Sequence, residues 1–171
     1  RYNTKYTTSN LSDYLKVSTF YKPKTKFFLR AESFYNFSTE LQRVVEENNY
    51  YSLYDVYGGN LHNCSHGESF LKLIQNKFND HGLYILDEPE AALSPQRQLS
   101  LLCLIDRLVK EGSQFIIATH SPILISYREG IILDLNNNFK EVDYKDTDIY
   151  SLYKMYLEDP DVMQHKLFDE E

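Results

Sequence analysis

The 171-residue chain has no tryptophan, only two cysteines, five prolines and six glycines, and no apolar run of 18 residues. Each shortage excludes something. Cys64 and Cys103 form neither a CxxC pair nor a framework, which removes a zinc knuckle and a disulfide scaffold. Their scarcity suits a reducing compartment, so a cytoplasmic location is expected. No run reaches membrane-spanning length, and the polar start Arg1-Tyr-Asn-Thr4 has no signal-peptide core behind it, so membrane insertion is not expected. Positive charge is scarce as well: 18 Lys and Arg stand against 25 Asp and Glu, a formal net charge of −7. Nothing electrostatic therefore draws this chain to a polyanion, and nucleic acid is expected only as a ligand of a larger assembly. Aromatic residues are abundant, with 15 Tyr and 10 Phe. In such numbers they more often pack cores and interfaces than stack on bases. The length suits one domain with a real core.

The stretch Gly82-Leu-Tyr-Ile-Leu-Asp-Glu-Pro-Glu90 joins an apolar strand to two adjacent carboxylates, Asp87 and Glu88. The unalternating run Leu83 to Leu86 predicts a strand buried on both faces, the pattern of a parallel sheet covered by helices. Pro89 stops the ladder, so the acids emerge at the carboxyl end of the strand, where open α/β sheets place their ligands. A carboxylate pair there can hold Mg2+ and orient a water; it also fits a solvated strand end.

Along the chain, residues 1 to 22 carry no defensible period. Lys26 to Ala31 reads as a short buried strand, followed by Glu32 and by Ser33 as N-cap of a helix from Phe34 to about Glu47. Residues 48 to 63 read as an ordered Tyr-rich loop with a turn at Gly58-Gly59. Cys64-Ser-His-Gly-Glu-Ser69 opens a helix carrying Phe70, Leu71, Leu73, Ile74 and Phe78, and its mouth suits an anion or an ordinary cap. Ser94 as N-cap and Pro95 begin a helix to about Lys110, and Gln114 to Thr119 is a second doubly buried strand ending in Thr119-His120-Ser121. Strand, helix, strand in this order predicts a right-handed parallel crossover that delivers Asp87-Glu88 and His120 to one sheet edge. Residues 130 to 142 read as a hairpin at the sheet edge, and 146 to 171 as two helices docked on the body through Tyr150, Leu152, Tyr153, Tyr156 and Leu157. Cys64 and Cys103 are read as buried fillers, and His62, His66 and His81 as surface or loop residues.

These motifs together resemble the ABC-class nucleotide-binding ATPases, in particular the stand-alone, non-transporter AAA-family members that are SMC-like. Tyr84-Ile-Leu-Asp-Glu-Pro-Glu90 is similar to the Walker B strand, Ala92-Leu-Ser-Pro95 to the D-loop, His120 to the switch histidine, and Cys64-Ser-His-Gly-Glu68 to the signature. The likeness spans about residues 26 to 145, with 1–22 undefined and 146–171 a C-terminal helical segment. It implies an α/β, three-layer P-loop NTPase-like domain with a mostly parallel sheet. It implies ATP and Mg2+ as cofactors, with Asp87 and, more loosely, Glu32 serving the metal, and Glu88 and His120 catalytic. Ser65, Gly67, Glu68 and Ser94 would face the nucleotide of a second subunit, so self-association runs through the signature and D-loop surfaces. His66 and Glu68 depart from the glycine and glutamine usual in that signature. No G-x-x-x-x-G-K-[S/T] occurs in the 171 residues, so the resemblance implies the N-terminally incomplete, C-terminal portion of a larger ATPase. Two readings of function follow: ATP hydrolysis at a composite dimer interface by the full-length protein, or an inactive fragment serving as a regulatory dimerisation module.

Overall fold

Three short apolar segments pair side by side into a parallel sheet, and their register decides where every chemically interesting residue lies. In a computed structural model, which describes residues 11–14, 16, 18–57, 59 and 65–168, a single turn α1 (Leu11–Tyr14) precedes β1 (Lys26–Arg30) and α2 (Ala31–Asn48). There follow α3 (Ser52–Tyr57), α4 (His66–Lys77), β2 (Leu83–Asp87), a 3-10 turn at Pro89–Ala92, and α5 (Pro95–Lys110). The chain continues through β3 (Gln114–Ala118), α6 (Pro122–Ile125), β4 (Leu133–Asp134), β5 (Lys140–Glu141), α7 (Asp148–Glu158) and α8 (Pro160–Phe168). β2 lies between β1 and β3, both parallel to it and without a register slip: Arg30, Asp87 and Ala118 form one row and Phe28, Ile85 and Ile116 another.

The core fills one side of this sheet. Leu29, Tyr84 and Leu86 point into a cluster with Phe34, Leu41 and Val45 of α2, Phe70, Leu73 and Ile74 of α4, and Leu101, Leu104, Ile105 and Leu108 of α5. Each such side chain contributes about 1.5–3 kcal/mol by leaving water. The expectation of strands buried on both faces is corrected here. Phe28, Ile85 and Ile116 are 60%, 37% and 52% exposed, because α2, α4 and α5 all pack on the opposite face. The described residues thus supply a parallel sheet and one helical layer; a second helical layer is not among them.

Tyr84 anchors the amino end of the sheet. Its ring is fully buried and stacks on Phe78 at 4.0 Å between centroids. Its hydroxyl accepts from the backbone N–H of Asn79 at 2.6 Å and donates to the Asn79 carbonyl at 2.8 Å, with Thr25 Oγ1 also 2.8 Å away. Ser113 Oγ donates to the same carbonyl and accepts from the Gly82 N–H, so the ends of α4, β2 and β3 are tied together. Gly82 has to be glycine because a Cβ there would overlap the Tyr84 hydroxyl.

Several local expectations are revised. α2 starts at Ala31, directly from β1 with Arg30 at its N-cap, so Glu32 lies in the first helical turn and Ser33 is not the cap. The Tyr-rich segment contains α3, held by an edge contact of Tyr57 with Phe37 and by the Lys77 ammonium 3.8 Å above the Tyr57 ring. Cys103 is exposed, since the buried stripe of α5 runs through Gln98, Leu101, Leu104, Ile105 and Leu108. β4 and β5 pair only with each other, as a separate antiparallel sheet joined by a 3-10 turn at Leu135–Asn137. α7 and α8 form where expected, on either side of Asp159–Pro160, yet Leu152, Tyr153, Tyr156 and Leu157 remain exposed rather than docked. His81 is exposed as expected; Cys64, His62 and Gly58 lie outside the described residues.

Tyr84→Phe is expected to lower the unfolding free energy by about 1–3 kcal/mol, because it strips the Asn79 backbone groups of their shared partner in a partly buried site. Urea denaturation with an unchanged m-value would register this as a lower midpoint.

Candidate functional site

The row Arg30, Asp87, Ala118 marks the carboxyl end of all three strands, and the residues just past it make the site. Glu88 is the first residue beyond β2. Its backbone is left-handed, φ 48° and ψ 51°, and its N–H donates to the Ala118 carbonyl at 2.9 Å. A non-glycine residue in that region costs on the order of 1–2 kcal/mol. The cross-strand bond and the Pro89–Ala92 turn hold it there and leave the Glu88 side chain exposed. Strain of this kind concentrates where a side chain must point a particular way.

Glu90 fastens this turn to the end of β3. Its Oε2 accepts from the Thr119 hydroxyl at 2.7 Å and its Oε1 from the His120 backbone N–H at 2.6 Å. A second link runs through Gln98 of α5, whose amide donates to the Leu93 carbonyl at 3.1 Å and accepts from the Ser121 hydroxyl at 2.5 Å. Ser121 Oγ in turn caps α6 by accepting from the N–H groups of Ile123 and Leu124. The segments 87–94 and 119–121 are therefore bolted together at both ends, with the His120 side chain exposed between them. The sequence marked Asp87, Glu88 and His120 but assigned no role to Glu90 or Gln98. The third acid of Asp-Glu-Pro-Glu was the available signal for Glu90, whereas nothing in the helical pattern distinguishes Gln98 from a solvated position.

Arg30 is a further unanticipated participant. Its Nε donates to Asp87 Oδ2 at 2.6 Å across the β1–β2 pair. The guanidinium pKa is pushed above its ordinary value by that hydrogen bond first, then by the charge of Asp87, with Glu32 and Glu88 adding to it. Asp87 is thus the carboxylate in contact with this cation, and Glu32 and Glu88 act on it only through their charge. Among the described residues no group of three His, Cys, Asp or Glu side chains converges as a metal cage. A hard divalent cation of the magnesium type does not need one, since it takes one or two carboxylates and completes its shell with water and phosphate oxygens. Asp87 fits such a role chemically, with Arg30 as the competitor for the same oxygen.

The signature-like segment and the turn after Glu88 meet on one surface. Ser65 stands at the N-cap of α4 in extended conformation; its carbonyl accepts from the N–H groups of Glu68 and Ser69, while its side chain makes no capping bond. Gly67 is buried, and a Cβ there would come within 2.8 Å of the Ala92 carbonyl and 3.1 Å of Arg97 Nη1. Only glycine allows this approach. Ser94 caps α5 by accepting from the Arg97 N–H at 3.4 Å. The Glu68 carboxylate lies 3.2 Å from Lys72 one turn on, so its charge is offset locally. Ser65, Gly67, Glu68 and Ser94 therefore belong to one neighbourhood, and Glu88 and His120 to another at the sheet edge. Glu32 is exposed in the first turn of α2, within electrostatic reach of Arg30.

A family model described as "AAA ATPase domain" matches residues 61–125, less than half of the chain. The matched segment is similar to part of an AAA ATPase domain, a likeness consistent with P-loop ATPases in general. The match takes in the signature-like segment, Asp87, Glu88, Ser94 and His120. No curated protein and no solved structure matches the chain. No helix among the described residues is long and apolar enough to cross a membrane.

Removing the Glu90 carboxylate should loosen the end of β3 without unfolding the sheet. Glu90→Ala is expected to speed hydrogen exchange of the His120 amide by about tenfold or more, the scale of one lost charge-assisted hydrogen bond. Glu90→Gln, which keeps one acceptor oxygen, should fall between. Amide-resolved exchange by NMR measures both.

Proposed function

We propose that this chain supplies one half of a composite ATP-hydrolysing site, formed with a second subunit. The observation that carries the reading is the single constellation at the sheet edge: Asp87, the conformationally constrained Glu88 and the Glu90-clamped His120, all within the region similar to an AAA ATPase domain. Bound ATP with Mg2+ would supply the phosphoanhydride and the neutralising charge. Phosphoryl transfer asks the protein mainly to position groups and to offset developing charge. In this reading Asp87 is the metal-side carboxylate, with Glu32 as an outlying acid. Glu88 orients and polarises the attacking water, and its left-handed backbone aims the side chain outward. His120 offers an imidazole toward the terminal phosphate from a backbone that Glu90 holds in place.

Ser65, Gly67, Glu68 and Ser94 serve the partner's nucleotide. Support comes from the contact between Gly67 and the Ala92 carbonyl, which merges the signature-like and D-loop-like segments into one surface. The acidic Glu68 is the least welcoming residue for phosphate; Lys72 beside it tempers that charge. The three-layer ABC-type architecture and the dimer through this surface belong to the same proposal.

A second reading is favoured by two specific observations: Arg30 occupies the Asp87 oxygen, and the 171 residues contain no glycine-rich loop with Lys-Ser/Thr to hold the phosphates. In it the chain by itself is an inactive dimerisation module that presents the signature surface. Calorimetric titration of ATP-Mg into the purified chain separates the two. Binding accompanied by turnover that Glu88→Gln abolishes supports the composite site and overturns the inactive module. Absence of heat and turnover, with activity appearing only when a P-loop-bearing polypeptide is added, supports the module. In the active assembly, Glu88→Gln is expected to leave nucleotide affinity within about twofold and to cut turnover by about a hundredfold or more, the scale of losing a general base. Unchanged turnover would remove Glu88 from the role given to it.

A further inference from the structure

The net charge of −7 conceals an uneven distribution. Residues 1–30 carry seven of the 18 Lys and Arg and a single acid, Asp13, which leaves 11 basic against 24 acidic residues for the rest of the chain. A polyanion repelled by the body is therefore attracted at one end, and the expectation drawn from net charge alone is corrected here.

The aromatic side chains of this basic end also differ from the others. Tyr14, Phe20 and Tyr21 are 82%, 101% and 88% exposed, the three most exposed large apolar side chains among the described residues. None of them belongs to the core cluster or packs against it. Phe20 and Tyr21 stand in irregular chain between α1 and β1, and Pro23 disfavours a helical turn at the residue before it. Cations flank the two rings. Lys16 and Lys22 are exposed and enter no ion pair among the described residues, whereas Lys24 is held by Asp80 at 2.5 Å.

Rings open to solvent beside unpaired ammonium groups are what single-stranded nucleic acid requires, since bases stack on the rings while the cations meet phosphates. A duplex buries its base faces, and its major groove admits a helix or a two-stranded ribbon rather than an irregular segment. An anionic membrane is bound through the apolar face of an amphipathic helix, and residues 18–25 form none.

We propose that this end of the chain binds single-stranded nucleic acid, with Phe20 and Tyr21 as stacking platforms and Lys16 and Lys22 as phosphate contacts. No residue of the sheet edge or of the signature-like surface takes part, so the proposal goes beyond the hydrolytic reading and stands or falls separately from it.

Fluorescence anisotropy of labelled oligothymidylate and oligouridylate of about 20 nucleotides, titrated with the full 171-residue chain without ATP, tests it. Binding in the range of about 1–100 μM is expected, weakening with salt at a log–log slope of about −0.7 for each phosphate neutralised. The tighter of the two strands then names the sugar. Lys22→Gln should reduce that slope by about 0.7. Phe20→Ala combined with Tyr21→Ala should weaken binding by at least about tenfold, the scale of losing two stacked bases. Phe20→Tyr combined with Tyr21→Phe keeps both rings and should bind like the wild type. Both positions are exposed and outside the core, so circular dichroism should be the same for every variant. The proposal is overturned if neither strand binds at about 100 μM protein, the weak end of non-specific affinity. Binding that survives loss of both rings overturns it too, as does a preference for a duplex of equal length. Association with phosphatidylserine vesicles while both strands stay free would assign the segment to a membrane instead.

Discussion

The in-register pairing of β2 with a parallel strand on each side is the constraint on which the rest of this molecule depends. Because Arg30, Asp87 and Ala118 end their strands in one row, the chain immediately beyond each strand is delivered to the same edge. A slip of one residue would turn Tyr84 and Leu86 out of the core and swing Asp87 to the other face of the sheet. The network around Tyr84, Asn79 and Ser113 at the opposite end supports that register through partly buried hydrogen bonds, whose loss is costly where water replaces them poorly.

At the candidate site, backbone strain and clustered charge work against stability. Glu88 is held in a left-handed conformation, the charges of Asp87, Glu32 and Glu88 all act on Arg30, and His120 is presented to solvent. Glu90 and Gln98 offset part of this cost by tying the segment after β2 to the segment after β3 with four hydrogen bonds. Arg30 balances the remaining charge. The ion pair it makes with Asp87 is half-exposed and contributes little to folding. Its importance is local: it sets which cation sits on the Asp87 oxygen.

The one-sided burial of the sheet is the other consequence of the element order. The three long helices between the strands, α2, α4 and α5, cross on the same side, as right-handed connections between neighbouring parallel strands require when the strand order follows the chain. The opposite face then has to be covered by something outside this core. Among the described residues α7 likewise leaves Leu152, Tyr153, Tyr156 and Leu157 exposed.

Much of the site was legible in the sequence because its signals are local. An apolar run closed by Asp87-Glu88-Pro89, a Ser94-Pro95 helix start and a strand ending at Thr119-His120-Ser121 each follow from short-range rules of strand, cap and proline chemistry, and each element formed within a residue or two of expectation. The same locality explains the misses. A continuous apolar run cannot distinguish a strand covered on both faces from one covered on a single face, since that depends on which side the helices cross. The helix at Ser52–Tyr57 is too short for its period to be read, and it exists because Tyr57 packs on Phe37 and under Lys77. By itself the sequence determined the elements, the strand ends and the residue types available for chemistry. Only the tertiary structure decided that Arg30 meets Asp87, that Glu90 grips His120 and that Gly67 closes on Ala92, because each contact joins residues 25 or more positions apart through register and packing.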